Sequence, residues 1–115
     1  MNILTDLTAI MTALGVPVET GVFSGEAPDT YVVLTPLSDT FDLHADNRPG
    51  VDIQEARISL FSKGNYLALK DRIIAAALDA DMVITGRAFI EHEDDVSYYH
   101  YALDCAKSYP YEKEE

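Results

Sequence analysis

The chain has 115 residues and a mass of 12.7 kDa, a length that fits one domain with a core that needs neither disulfides nor a metal. Hydrophobic residues make up 48% of it and charged residues 24%, as in soluble globular domains. No apolar run approaches the roughly 20 residues that a membrane-spanning helix requires. We therefore expect a soluble single domain over residues 1–115, with a frayed C-terminal segment at 110–115.

Acidic residues outnumber basic ones by 20 to 8, which gives a net charge of −12. Binding to duplex DNA depends on neutralising phosphates with Lys and Arg, so this composition argues against a protein that grips nucleic acid. It permits a protein that surrounds DNA without binding it, or one that mimics DNA. The first residues lack the features of a signal peptide, and the single Cys105 forms no internal disulfide, so we expect synthesis in a cytosol.

A first α-helix is predicted over residues 3–14, where apolar side chains recur at intervals of three and four. Asn2 is a suitable N-cap, and Gly15 is a suitable stop signal. The spacing predicts a helix that packs one face on a sheet.

Strand patterns follow this helix. Residues 18–24 predict a short, weak strand and residues 30–37 a stronger one, whose Pro36 places its end at a sheet edge or a bulge because proline has no N–H. Residues 39–50 alternate and then end in turn-forming residues, and residues 51–61 alternate most clearly. Residues 40–61 together predict a long hairpin that projects beyond the sheet.

A second helix is predicted over residues 66–80, with apolar residues on more than half of its circumference, so it needs cover from the first helix or from another subunit. Two strands at 82–91 and 97–107 then form a hairpin with an acidic turn. The order is a helix, about four strands, a helix and two strands. This order predicts an α+β fold, with a largely antiparallel sheet of five to six strands and two helices packed on one face.

The candidate chemistry is sparse. His44 precedes Asp46 by two residues, and His92 lies among acidic residues near His100, but no spacing typical of a metal site accompanies them. Cys105 lies within an apolar strand face and is expected to be inert. We therefore assign no catalytic, cofactor-binding or metal-binding residue.

Three stretches carry a resemblance to a known family. Residues 41–49 place a strand before an Ala-Asp-Asn-Arg-Pro turn, and residues 51–80 join a strand to a helix through a Leu-Phe-Ser-Lys corner. Residues 84–109 combine an arginine-containing strand, an acidic turn and a Tyr-His-Tyr-x-x-Asp strand. Over residues 30–109 the chain resembles the small tail completion, tail terminator or minor capsid proteins of long-tailed phages and Gram-positive prophages.

The resemblance implies a structural virion protein without enzymatic activity or cofactor, made in the cytoplasm of the host bacterium and located in the tail or neck of the particle. Such proteins cap the tail tube as a ring, usually of six subunits, and enable head–tail joining. The implied partners are other copies of the chain, the major tail tube protein and a head-side connector or stopper, while DNA passes through the lumen without specific binding.

We expect two polar turns to contact a neighbouring subunit or the tube. The candidate interface residues are Asp42, His44, Asp46, Asn47, Arg48, Glu91, His92, Glu93, Asp94 and Asp95. Other hypotheses remain open at this point: another neck protein such as a connector or stopper, an acidic DNA mimic that binds a basic protein cleft, or a small enzyme with a His/Asp site.

Overall fold

The computed structural model of the chain describes residues 2–22, 24–42, 50–93 and 98–110. In chain order they form α1 (Ile3–Ala13), β1 (Val18–Thr20), β2 (Thr30–Asp42), β3 (Val51–Ser62), α2 (Leu67–Asp79), β4 (Val83–Glu93) and β5 (Tyr98–Pro110). The five strands make one sheet in the order β1-β2-β3-β5-β4. All its pairs are antiparallel except β1 with β2. The predicted α+β fold with a largely antiparallel sheet is confirmed.

The strand β2 differs most from the sequence prediction. It runs through two segments that the alternation pattern separates, so three strands, and not about four, precede α2. A bulge between Pro36 and Ser38 joins the two segments, as the missing N–H of Pro36 predicted. The pairing of β2 with β3 reaches Asp42 and Val51, which confirms a long hairpin within the described residues. Its predicted projection beyond the sheet is wrong there, because β5 pairs with β3 as far as Val51.

The strand β1 is shorter than predicted. It has three residues and pairs only with Val32–Leu34 of β2. Gly21 follows it with a φ of +86°, a left-handed conformation that glycine adopts without steric cost, and this turns the chain away from the sheet. Most of the outer side of β2 is therefore not paired with β1.

Helix α1 begins where its sequence predicts. The side chain of Asn2 accepts a hydrogen bond from the Thr5 N–H at 2.8 Å, which is the expected N-cap. The buried Gln54 of β3 adds a second tie, because its Oε1 accepts from the Ile3 N–H at 2.7 Å while its Nε2 donates to Asp52 at 2.7 Å. The helix is thus fixed to the sheet at its first turn.

The core lies between the two helices and one face of the sheet. Side chains on one face of β2, β3 and β5 pack against the apolar sides of α1 and α2. These side chains are almost completely buried. The members include Leu7, Met11, Val32, Leu34, Ala56, Ile58, Ile73, Ala77, Leu103 and Cys105. We call this the helix face of the sheet and the opposite side the open face.

A polar contact joins β5 to α1 beside this core. The hydroxyl of the buried Tyr109 in β5 donates to Oδ2 of Asp6 in α1 at 2.6 Å, and Lys107 Nζ lies 3.6 Å from the same oxygen. Burial and this hydrogen bond raise the pKa of Tyr109 above its usual range. No helix in the described ranges has the length and apolar character needed to cross a membrane.

Candidate subunit and partner interfaces

The long sheet has two different ends. The molecule measures 53 × 26 × 24 Å. At one end, called the β2–β3 end, β2 stops at Asp42 and β3 starts at Val51; at the other, called the β4–β5 end, β4 stops at Glu93 and β5 starts at Tyr98. The two predicted interface turns therefore leave opposite ends of the molecule.

The placement of the ten predicted interface residues follows from these ends. Asp42 pairs in register with Val51 at the β2–β3 end. Three others lie in the last part of β4, where Glu91, His92 and Glu93 pair with His100, Tyr99 and Tyr98. The remaining predicted residues lie outside the described residues: His44, Asp46, Asn47, Arg48, Asp94 and Asp95. Their role as an interface stays a prediction.

Aromatic side chains gather on the helix face at the β4–β5 end. The ring of Tyr66, just before α2, lies 6.1 Å from Phe89, 6.1 Å from Tyr99 and 5.8 Å from Tyr101, centroid to centroid. Phe89 is 48% exposed and Tyr99 38% exposed. Exposed aromatic groups of this kind are enriched at protein–protein interfaces, so this cluster is a candidate contact surface.

A second aromatic cluster lies on the open face at the same end. Phe61 stacks on Tyr31 at 4.9 Å and on His100 at 4.3 Å, and Tyr98 meets the Tyr31 ring edge-on at 5.4 Å. The Tyr98 hydroxyl donates to the Pro28 carbonyl at 2.6 Å. Tyr98 is buried although it lies on the open face, so this cluster is a small second core that stiffens the β4–β5 end.

Next to this cluster, the middle of the open face carries paired charges. The Arg57 guanidinium donates to both carboxylate oxygens of Asp104, at 2.8 and 3.1 Å, and this contact raises the pKa of Arg57. The Thr85 hydroxyl donates to Glu55 at 2.7 Å. Within the described ranges neither helix packs on this face. This part of the face suits contact with water better than a tight apolar interface.

Both outer strands of the sheet have available backbone edges. In the described part of the chain, β4 pairs only with β5, so its outer side has no strand beside it. Beyond Leu34, β2 pairs only with β3, which leaves its outer side from Thr35 to Asp42 without a strand among the described residues. Such edges bind further strands readily unless something blocks them.

The chemistry expected of an enzyme is not assembled in the described residues. They contain no group of three His, Cys, Asp or Glu side chains placed to hold a metal ion. Cys105 is buried, lies 3.9 Å from the sulfur of Met82, and has a pKa of about 11 because burial and the nearby Asp104 charge disfavour its thiolate. Lys70 lies over the Tyr101 ring at 5.5 Å, and its Nζ is 3.5 Å from Oδ1 of Asp71.

The sequence does not predict the aromatic cluster of the open face or the unpaired edges of the described strands. The alternation of β5 indicates that Tyr98 and His100 share a face, but only the register brings Phe61 of β3 beside them. The edges follow from strand order, which local patterns do not contain.

Comparison with known proteins finds a solved structure with a similar fold. No family model matches the chain, and no curated protein matches it. Among solved structures, it is similar to a chain of the virion of a native gene transfer agent particle, with 20% sequence identity, a TM-score of 0.51, and coverage of 86% of this chain and 82% of that chain. At this identity the likeness shows that the two chains share a fold over most of their lengths.

Proposed function

We propose that this chain is a structural protein of a tailed, phage-like particle, located at the head–tail neck, where it caps the tail tube as a ring and enables head–tail joining. The observation that carries the proposal is the shared fold with a chain of a gene transfer agent virion. That likeness spans most of both chains, so the fold as a whole, and not a small common motif, supports a virion role.

The two ends of the molecule support a position between two different partners. A neck protein has to contact the tail tube on one side and a head-side protein on the other. The predicted polar turn after Asp42 and the predicted acidic turn after Glu93 start at opposite ends of the sheet, in a molecule that is 53 Å long. One turn is therefore available to each partner.

The charge supports the passage of DNA. A ring whose subunits each carry a net charge of −12 repels phosphates and releases no counterions on approach of DNA. DNA then slides through the lumen without being held. The same property fits a connector or a stopper, which is the alternative within the same class of neck proteins.

Deletion of the gene from its phage or prophage, followed by electron microscopy of the particles, tests the proposal. A missing tube cap predicts full heads separated from tails of irregular, excessive length, because nothing ends tube growth. Separate heads with tails of normal length would favour a connector or stopper instead. Normal infectious particles would refute a neck role of either kind.

Complementation sharpens this test. The wild-type gene should restore joining, whereas charge reversal at the predicted tip, Asp46→Lys with Arg48→Glu, should not. The matched control is Asp71→Lys with Arg72→Glu, a reversal on the exposed side of α2. Equal joining by the tip variant and the control would remove the tip from the proposed interface.

A further inference from the structure

The unpaired edges of β2 and β4 have complementary directions. Strand β2 runs opposite to β3, β3 opposite to β5, and β5 opposite to β4, so β4 runs opposite to β2. When two copies stand side by side in the same orientation, β4 of one lies antiparallel to β2 of the next. Head-to-tail contact through these edges thus continues an antiparallel sheet, and such heterologous contacts close into a ring when the rotation fits.

The edges also carry complementary charges on the same face. Asp39 of β2 pairs in register with Gln54, and Arg87 of β4 pairs with Leu103. Because Gln54 and Leu103 are buried on the helix face, Asp39 and Arg87 both lie on that side of the sheet, and both are exposed. Neither has an ion-pair partner in the part of its own chain that the structure describes.

The stagger between copies follows from β1. This strand occupies Val32–Leu34, so an incoming β4 has to shift toward the β2–β3 end. Each copy contributes four long strands, and a stagger of about one residue per strand gives the tilt of roughly 36° found in closed sheets. A shift of four residues per copy is therefore the natural choice.

This shift can be followed through the register. Within one copy, Arg87 pairs with Leu103, and Leu103 pairs with Ile58 of β3. Four residues from Ile58 toward the β2–β3 end lies Gln54, which pairs with Asp39. Arg87 then faces Asp39 of the next copy. On the same face two apolar pairs form, Ile84 opposite Phe41 and Phe89 opposite Pro36, and the segment from Val83 to Glu91 covers Thr35–Asp42. The last two residues of β4, His92 and Glu93, come level with Leu34 and Val33 and have to turn away from the edge that β1 occupies.

We propose that copies of this chain associate head to tail by pairing β4 of one copy with residues Thr35–Asp42 of the next, with Arg87 opposite Asp39. The partner is a second copy of this chain. The inference deepens the proposed function, because it gives the ring its subunit contact. It is tested on the purified chain, so its failure is distinct from a failure of the particle experiment.

Cysteine cross-linking tests the register. In the proposed pairing Ser38 lies opposite Ala88 on the open face, and both residues are exposed. Variants Ser38→Cys and Ala88→Cys, mixed at high concentration and oxidised gently, should form a mixed disulfide at least tenfold faster than either variant alone. The control mixes Thr40→Cys with Ala88→Cys, a pair two residues out of register and too far apart for a disulfide. The native thiol does not compete, because Cys105 is buried.

Charge exchange provides the second readout. Arg87→Asp and Asp39→Arg, each introduced into both cysteine variants, should slow the mixed disulfide about threefold, and the two changes together should restore it. Faster coupling of Ala88→Cys with itself would show a two-fold contact between β4 strands and overturn the proposal. Equal rates in the matched and control mixtures, or no restoration by the exchanged charges, would overturn it as well.

Discussion

The bond between Tyr109 and Asp6 offers a sharp test of how α1 is held to the sheet. Tyr109→Phe removes one hydroxyl from a side chain that is 4% exposed and leaves the ring in place. The lost hydrogen bond is a 2.6 Å contact to a carboxylate, a class that contributes about 1.5–3 kcal/mol. Asp6 keeps Lys107 at 3.6 Å and partial contact with water, so we expect the low end, about 1.5 kcal/mol.

Urea unfolding at pH 7 measures this loss. With a slope of about 1.5 kcal/mol per molar, the midpoint should fall by about 1 M at an unchanged slope. A double-mutant cycle with Asp6→Ala, which removes the acceptor, isolates the pair, and its coupling energy should account for most of the loss. A loss below about 0.5 kcal/mol, or a coupling near zero, would refute the view that this contact anchors the helix.

The same contact has a defined pH dependence. The pKa of Tyr109 is raised in the folded state, so its contribution to stability is complete below the unfolded tyrosine pKa of about 10 and is lost as the pH rises through the folded value. The stability difference between the wild type and Tyr109→Phe should be constant from pH 7 to 9 and shrink above pH 10. A difference that grows above pH 10 would contradict this assignment.

Three further predictions concern the core. Leu7→Ala, at a fully buried position, should lower the unfolding free energy by about 3–4 kcal/mol in urea titrations, and a loss under about 1 kcal/mol would contradict the packing of α1 on the sheet. Gln54→Met should cost about 1–2 kcal/mol in the same assay because the Ile3 N–H loses its buried acceptor, whereas the exposed control Asp71→Asn should be neutral. Alkylation of Cys105 by iodoacetamide at pH 8 should be at least about a hundredfold slower in folded than in urea-unfolded protein, since its pKa is about 11; comparable rates would contradict its burial.

The sequence was a good guide wherever alternation was uninterrupted. Asn2, the apolar spacing of both helices and the clear alternation of β3 predicted elements that the structure confirms to within two residues at most ends. The burial of Cys105 also followed from its place on an apolar strand face. These features depend on neighbouring residues, which is the information that a periodic pattern contains.

The strand β2 shows where a periodic sequence pattern no longer predicts the structure. An extra residue at the bulge between Pro36 and Ser38 reverses the alternation, so Leu34 and Asp39 share a face although they differ by five positions. A pattern with period two therefore changes phase there and resembles two strands. The tie from Asp6 to Tyr109 joins residues 103 positions apart, and no local signal indicates it.

The candidate interfaces also differ in how far the sequence predicts them. Composition predicts interfaces at the polar turns after Asp42 and Glu93, and the structure shows that these segments start at opposite ends of the sheet. The proposed edge contact between Arg87 and Asp39 follows only from the strand order and the register. Composition indicates which residues face water, whereas topology decides which of them face the same neighbour.

The net charge disfavours association between copies, whereas the proposed edge contact favours it. The balance of the two affects how the proposed ring forms. Copies that each carry a charge of −12 repel one another, and at low salt this repulsion extends well beyond the roughly 10 Å screening length of 0.1 M salt. The ion pair between Arg87 and Asp39 acts only at contact. Free copies should therefore associate more strongly as salt rises, even though salt weakens that pair. Under the proposed function, binding to a tube end offsets the same repulsion by mass action, so a chain that is monomeric when dilute can still close a ring on its template.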